Sequence, residues 1–205
     1  MSAKEYKLNI DPRILELLGP SLYTNIYYIL AELIANAYDA DAHNVYVIAN
    51  KDDITVEDDG TGMSYQNGDI EHYLNVAKES RSSEEQALTK TCNRKKMGRK
   101  GVGKLAALSV SENVLVKTRR DGEVSGFILS RHVDADNRLT PIPDDEIVFQ
   151  KITENGSAIV MQPVIITTSL CESARSSVST IWVRSSPIDV RSATIMPCAF
   201  SAREI

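Results

Sequence analysis

Three groups of residues in this chain have the types and spacings that chemistry needs. Glu32, Asn36 and Asp39 stand at i, i+4 and i+7, so on a helix they share one face. Taken alone, acid and amide groups beside an apolar stripe are more simply a solvated outer face. The run Glu57-Asp58-Asp59-Gly60-Thr61-Gly62-Met63 puts a carboxylate at the end of a strand. Two glycines follow, and they let the backbone turn tightly or approach a ligand closely. In isolation Asp-Asp-Gly is an ordinary turn. The third group is Met97-Gly98-Arg99-Lys100-Gly101-Val102-Gly103-Lys104-Leu105-Ala106, a glycine loop leading into a helix. Backbone N–H groups at a helix N-terminus, with lysines nearby, suit polyphosphate. Gly98 through Lys104 also fits most of a P-loop, G-x-x-x-x-G-K. Leu105, however, stands where that motif needs Ser or Thr, and the preceding Thr91-Cys92-Asn93-Arg94-Lys95-Lys96 is polar and basic rather than a buried strand. Both contexts that a P-loop requires are missing.

The elements that must position these groups are readable from periodicity. Asp11-Pro12 reads as a helix start and Gly19-Pro20 as its stop. Residues 22–40 form a longer helix, with Ile26, Leu30, Leu33, Ile34 and Ala37 at helical spacing. Strands over 44–49 and 54–57 make a hairpin. Residues 64–100 are a long polar connection, helical only around Ile70, Tyr73, Leu74 and Ala77. A polar connection of that length inside a compact domain is usually a functional lid or a mobile segment. A helix is expected over 103–110. Strands over 114–118 and 124–129 flank the Asp121-Gly122 turn. Residues 131–146 read as a polar loop, and 147–152 and 158–164 as the last strands. Helices alternating with hairpins make an α/β two-layer sandwich, with a mixed, mostly antiparallel sheet covered by helices on one face.

The chain has 205 residues, 42% hydrophobic and 25% charged, enough for one globular domain with a sizeable core. A net charge of -5 and a pI of about 5.3 give no support for non-specific nucleic-acid binding. Cys92, Cys171 and Cys198 form no C-x-x-C pair and are odd in number. They indicate neither a disulfide framework nor a zinc site, and a reducing, cytoplasmic setting is the default. The N-terminus lacks the apolar stretch of a signal peptide, and no apolar run approaches the ~18 residues of a membrane span. Organisation divides into an arm over 1–21, a domain over 22–165 and a tail over 166–205. The tail is serine-dense and weakly periodic; lysine stops at Lys151 and glycine at Gly156. It reads either as an irregular or disordered end or as sequence translated out of frame.

In this order and spacing the three groups resemble the GHKL ATPases: gyrase, heat-shock chaperone, histidine kinase and MutL. The resemblance covers about residues 22 to 164. Glu32-Leu33-Ile34-Ala35-Asn36-Ala37-Tyr38-Asp39-Ala40 is similar to the family's first box, Asp58-x-Gly60-x-Gly62 to its second and Gly98-x-x-Gly101-x-Gly103 to its third. Gly156-Ser157 resembles the fourth, with Ser157 in a threonine position. The resemblance implies the ATP-binding fold named after Bergerat, and it implies roles. Glu32 would be the general base that activates water, and Asn36 would bind magnesium through its amide oxygen. Asp39 would orient the neighbourhood through water. Asp58 would accept a hydrogen bond from the adenine amino group, supported by Ser157. Gly60, Gly62 and Met63 would lie under and beside the base. Residues Gly98 to Gly103, Val102 included, would close on the phosphates with Lys100 and Lys104 as charge partners. Residues 64–97 would be the ATP lid.

Glu32 replaces the amide residue typical of the histidine kinases, which disfavours phosphotransfer to histidine. The run Gly101-Val102-Gly103-Lys104-Leu105-Ala106-Ala107-Leu108 points to the MutL, MORC or chaperone side. The resemblance thus implies slow, magnesium-dependent ATP hydrolysis that drives conformational change or homodimerisation of a larger machine, acting on DNA or on client proteins. The γ-phosphate lysine of the gyrase and MutL branches would come from a downstream domain or partner subunit, so binding is expected to outlast hydrolysis in this chain. The alternative is a nucleotide-sensing interaction module without useful turnover.

Overall fold

The computed structural model describes residues 4–10, 25–75, 88–97, 103–132, 136–162 and 179–184, the last six and Lys104 by backbone alone. The predicted helix beginning at Asp11-Pro12 lies outside these residues. The long helix, α1 (Ile26–Asp39), starts where Asn25 caps it: the Asn25 side-chain oxygen accepts the Tyr27 N–H at 2.9 Å. It stops in a Schellman turn. Ala42 N–H donates to Ala37 O and Asp41 N–H to Tyr38 O, both at 3.1 Å, with Asp41 in the left-handed region at φ 63°. Ile29, Leu33 and Ala37 are buried on its inner face, each large side chain contributing about 1.5–3 kcal/mol.

Eight strands form one sheet: β1 (Tyr6–Lys7), β2 (Asn44–Ala49), β3 (Ile54–Asp58), β4 (Asn113–Arg120), β5 (Glu123–Ser130), β6 (Arg138–Pro141), β7 (Gly156–Gln162) and β8 (Ser179–Arg184). Their spatial order is β1-β6-β5-β4-β7-β3-β2-β8. Every described ladder is antiparallel. A short helix α2 (Asp69–Leu74) follows the glycine turn, and Asp121 and Gly122, both at positive φ, make the β4–β5 hairpin turn. Val56, Val116, Phe127 and Met161 on the sheet pack with Leu33, Leu105 and Leu108 in one core between sheet and helices. The expected two-layer α/β sandwich is the fold found.

Three local expectations fail. Residues 103–110 wind as a 3-10 helix over Gly103–Ser109, although Leu and Ala favour the α form; Leu105 to Leu108 are all buried there, so packing rather than propensity sets the winding. Residues 147–152 are not a strand. The N–H groups of Ile147 and Val148 turn back to Asp144 O and Glu146 O, and the last three go to a side chain: Glu57 accepts from Gln150, Lys151 and Ile152 at 3.0, 2.6 and 2.7 Å. The loop over 131–146 contains a strand after all, β6, which pairs with β5 on one side and β1 on the other. Tyr6, within that edge strand, and Leu8, just after it, are 2% and 1% exposed. In the serine-dense tail, residues 179–184 pair with β2 along its whole length.

Candidate functional site

Glu32 and Asn36 sit half-buried, one turn apart on α1. Gly103, at the head of the 3-10 helix, lies against them. A Cβ added to Gly103 would collide with Glu32 Oε2 and come within 3.9 Å of Asn36 Oδ1. The first motif and the end of the third, 67 residues apart between Asn36 and Gly103, therefore meet so closely that a side chain at 103 would displace the Glu32 carboxylate. Asp39, a turn further on, accepts the Met97 N–H at 2.7 Å. Met97 is the last described residue before the glycine loop. Gly98, Lys100, Gly101 and Val102 lie outside the described residues, as does the side chain of Lys104.

The second motif docks on the end of the same helix. Thr61 N–H donates to Ala40 O at 2.9 Å, and a Cβ on Gly60 would come within 2.7 Å of that oxygen. Gly62, at φ +64°, runs against the Arg119 carbonyl. Alternation along β3 puts Asp58 on the core face with Val56 and Ile54. Asp58 is 8% exposed, and its Oδ1 accepts the Gly60 N–H at 2.9 Å. Burial raises its pKa to about 7 from 3.8; the charges of Asp59 and Glu57 add to the rise, and the Gly60 and Ser157 hydrogen bonds oppose it. Ser157 stands directly opposite Asp58 on β7, and Thr118 stands opposite Ser157 on β4. Met63, partly buried against the core, donates its N–H to Thr118 Oγ1 at 2.8 Å.

A family profile described as "Histidine kinase-, DNA gyrase B-, and HSP90-like ATPase" matches residues 23–158. The chain belongs to that family. Among its relatives is HgiDII of Herpetosiphon aurantiacus, named for a type II restriction enzyme; it is 29% identical over 172 residues, which are 80% of this chain and 27% of that protein. The chaperone protein HtpG of Halalkalibacterium halodurans is 33% identical over 152 residues, 62% of this chain and 23% of its own. The ATPase morc-1 of Caenorhabditis elegans is 29% identical over 116 residues, 54% of this chain and 12% of its own. The chain thus spans about a quarter or less of the length of these relatives. As a GHKL domain it belongs to a family of ATP-binding modules found in chaperone and DNA-related proteins.

Several residues packed around these motifs, Thr118, Asp41 and Arg94 among them, carry no motif signal in the sequence. Thr118 is fully buried between Met63, Gly156 and Ser157. Gly156, at φ +154°, passes so close to the Asp58 carbonyl that a Cβ has no room. Asp59 turns away from the site and takes the N–H groups of His43 and Asn44 and the Asn44 amide, each at 2.7 Å. Asp41 accepts the Thr91 N–H at 2.9 Å. Burial works against its charge, but hydrogen bonds from Thr89, Thr91 and Cys92 outweigh it and hold the pKa below 3.8. Arg94 donates to Ala42 O at 2.8 Å and lies over the Tyr38 ring at 5.1 Å. Residues 88–97 are in this way tied to the C-terminal end of α1. The sequence marks Asp41 and Arg94 only as surface charges, because their partners are about 50 residues away. No described helix is long and apolar enough to cross a membrane.

Proposed function

We propose that this domain binds ATP with magnesium and hydrolyses it slowly, as the nucleotide-responsive module of a larger protein. The observation that carries the reading is the seating of Gly103 against Glu32 and Asn36, which joins the acid of the first motif to the glycine loop suited to phosphates. Asp58, Ser157, Gly60, Gly62 and Met63 supply the base end of the same cleft. Asp58 as a carboxylate accepts the adenine amino group, and Ser157 supports it. The phosphates run from there toward Gly98 to Gly103, with Lys100, Val102 and Lys104 beside them.

Glu32 is placed to take the proton of a water that attacks the γ-phosphate. A half-buried carboxylate one helical turn from Asn36 suits that role. Among the described residues no cluster of three or more His, Cys, Asp or Glu could hold a metal. Magnesium takes one or two protein oxygens and completes its shell with phosphates and water; Asn36 Oδ1 would be the protein oxygen. The metal, when bound, offsets charge on the phosphates. Asp39, hydrogen-bonded to Met97 N–H, orients the approach to the glycine loop.

Residues 22–165 carry the site in this reading, with the lid over 64–100; strands from the arm over 1–21 and the tail over 166–205 join its sheet at the two edges. The anchoring of 88–97 at Asp39 and Asp41 supports a lid hinged on the helix that bears Glu32. Homodimerisation, a lysine from a downstream domain or partner subunit, action on DNA or on client proteins, and a cytoplasmic setting complete the proposal. The names of HgiDII, HtpG and morc-1 support a larger machine of this kind.

Calorimetry of ATP binding, with and without magnesium, tests the site on the wild type and on Asp58→Asn. Heat that magnesium enhances and Asp58→Asn weakens supports it; no heat from the wild type overturns it. Glu32→Ala then separates hydrolysis from sensing. Turnover that disappears while binding persists supports an ATPase, whereas a variant indistinguishable from wild type in both supports the sensing module.

A further inference from the structure

Asp58, Ser157 and Thr118 lie in a row across β3, β7 and β4. Thr118 is wholly buried. Its hydroxyl has one proton to give and two lone pairs to receive with. One lone pair takes the Met63 N–H at 2.8 Å. The proton goes to Gly156 O at 3.2 Å. Ser157 Oγ lies 3.3 Å from Thr118 Oγ1, so the bond between the two hydroxyls then runs from Ser157 to Thr118. Ser157 is left with its lone pairs only, on the strand beside the Asp58 carboxylate.

We propose that Thr118 is the residue that sets base specificity: by taking the Ser157 proton it makes Ser157 an acceptor, so the site presents two neighbouring acceptors to a purine. An exocyclic amino group has two N–H bonds to satisfy both. A 6-oxo group has none and meets two sets of lone pairs, and a buried polar site left unpaired in this way discriminates strongly. Thr118 is a positioning residue, since it acts on the base only through Ser157 and Met63. The inference rests on the reading of Asp58 and Ser157 as the base-contacting pair.

The test compares binding of ADP and of inosine diphosphate to the full chain, which differ at the 6-position in the relevant sense. The wild type should prefer ADP. In Thr118→Val the Ser157 proton is free to turn toward a 6-oxo group, and the preference should fall by about tenfold. Thr118→Ser, which keeps the hydroxyl, should restore it. Loss of packing alone would lower both affinities together and leave their ratio intact. A folded Thr118→Val with the wild-type ratio overturns the inference. If Thr118→Val does not fold, Thr118→Cys carries the test, because a thiol is a weak acceptor and should lower the ratio partway; an unchanged ratio there is equally fatal. A wild type that binds ADP and inosine diphosphate equally well removes the role of Thr118 and leaves the ATP site standing. A wild type that binds neither removes the ATP site itself.

Discussion

Glu57 and Asp58 are neighbours in the chain, and their carboxylates are buried on opposite faces of β3. Glu57 collects three backbone N–H groups from residues 150–152, while Asp58, on the core face, takes the Gly60 N–H at 2.9 Å and a backbone hydrogen bond from Ser157. One acid holds a loop, and the other is the acid proposed to meet the base. Glu57→Ala strands three backbone donors and is expected to cost about 3 kcal/mol or more of stability, since bonds to a charged acceptor are each worth roughly 1.5–3. Glu57→Gln keeps an acceptor oxygen and should cost less. Urea denaturation measures both. Nucleotide affinity of the folded fraction should stay near wild type, and an affinity collapse in a stable Glu57→Gln would show that the division of labour is wrong.

The raised pKa of Asp58 has a sign that can be checked. With a folded value of about 7 against 3.8, the native state holds a proton between those pH values that the unfolded chain has released. Stability from this group therefore falls as pH rises from about 4 to 7 and levels above it, by up to about 4 kcal/mol. Asp58→Asn should remove that slope in a series of denaturation curves. A ligand N–H on the carboxylate favours the charged form, so ADP binding near pH 6.5 should release a proton, visible as a dependence of binding heat on buffer ionisation enthalpy. Proton uptake instead would contradict the assignment of Asp58 to the amino group.

Asp41 runs in the opposite direction. Its folded pKa lies below 3.8, so its stabilising contribution is present above that value and is lost as pH falls through the folded pKa. Asp41→Asn should flatten the acid limb below pH 4, remove part of the hold on Thr91 N–H and speed proteolytic cleavage within 88–97. Asn tolerates the φ of 63° at this position, so strain is not added. Cleavage at the wild-type rate would mean that Asp41 does not anchor the segment.

Gly103→Ala drives a methyl into the Glu32 carboxylate. The acid must swing away from the water position, and turnover should drop at least tenfold, while adenosine binding, which depends on the Asp58 end, changes little. Gly68 meets nothing within 4 Å but sits at φ +75°, so Gly68→Ala adds backbone strain remote from Glu32 and shows what general destabilisation alone does to turnover. Steady-state hydrolysis alongside adenosine titration separates the cases; equal turnover in both variants would unseat Glu32 as the base.

The patterns over 44–49 and 54–57 locate β2 and β3 to within a residue, and that over 22–40 locates the end of α1 while placing its start four residues before Ile26, because amphipathic spacing and turn residues are local properties. Glu32, Asn36, Asp58 and the glycines were legible for the same reason: each motif is short and keeps its own spacing. Residues 147–152 read as a strand because their apolar residues would suit one, yet the N–H groups of Gln150, Lys151 and Ile152 are taken by Glu57, almost 100 residues earlier. The strand β6 was hidden in a polar loop because its pairing with β1 and β5 comes from outside it. Thr118 looked like any strand threonine. Its importance arises only where β3, β4 and β7 lie side by side and their backbones come close enough for one hydroxyl to serve Met63, Gly156 and Ser157. What the sequence determined by itself was the set of groups that chemistry requires and the local elements that carry them. What the tertiary structure alone decided was that Glu57 binds the distant loop over 150–152 while Asp58 bonds to Gly60 and Ser157, because a hydrogen bond between distant residues depends on distance in space and leaves no periodic trace in the chain.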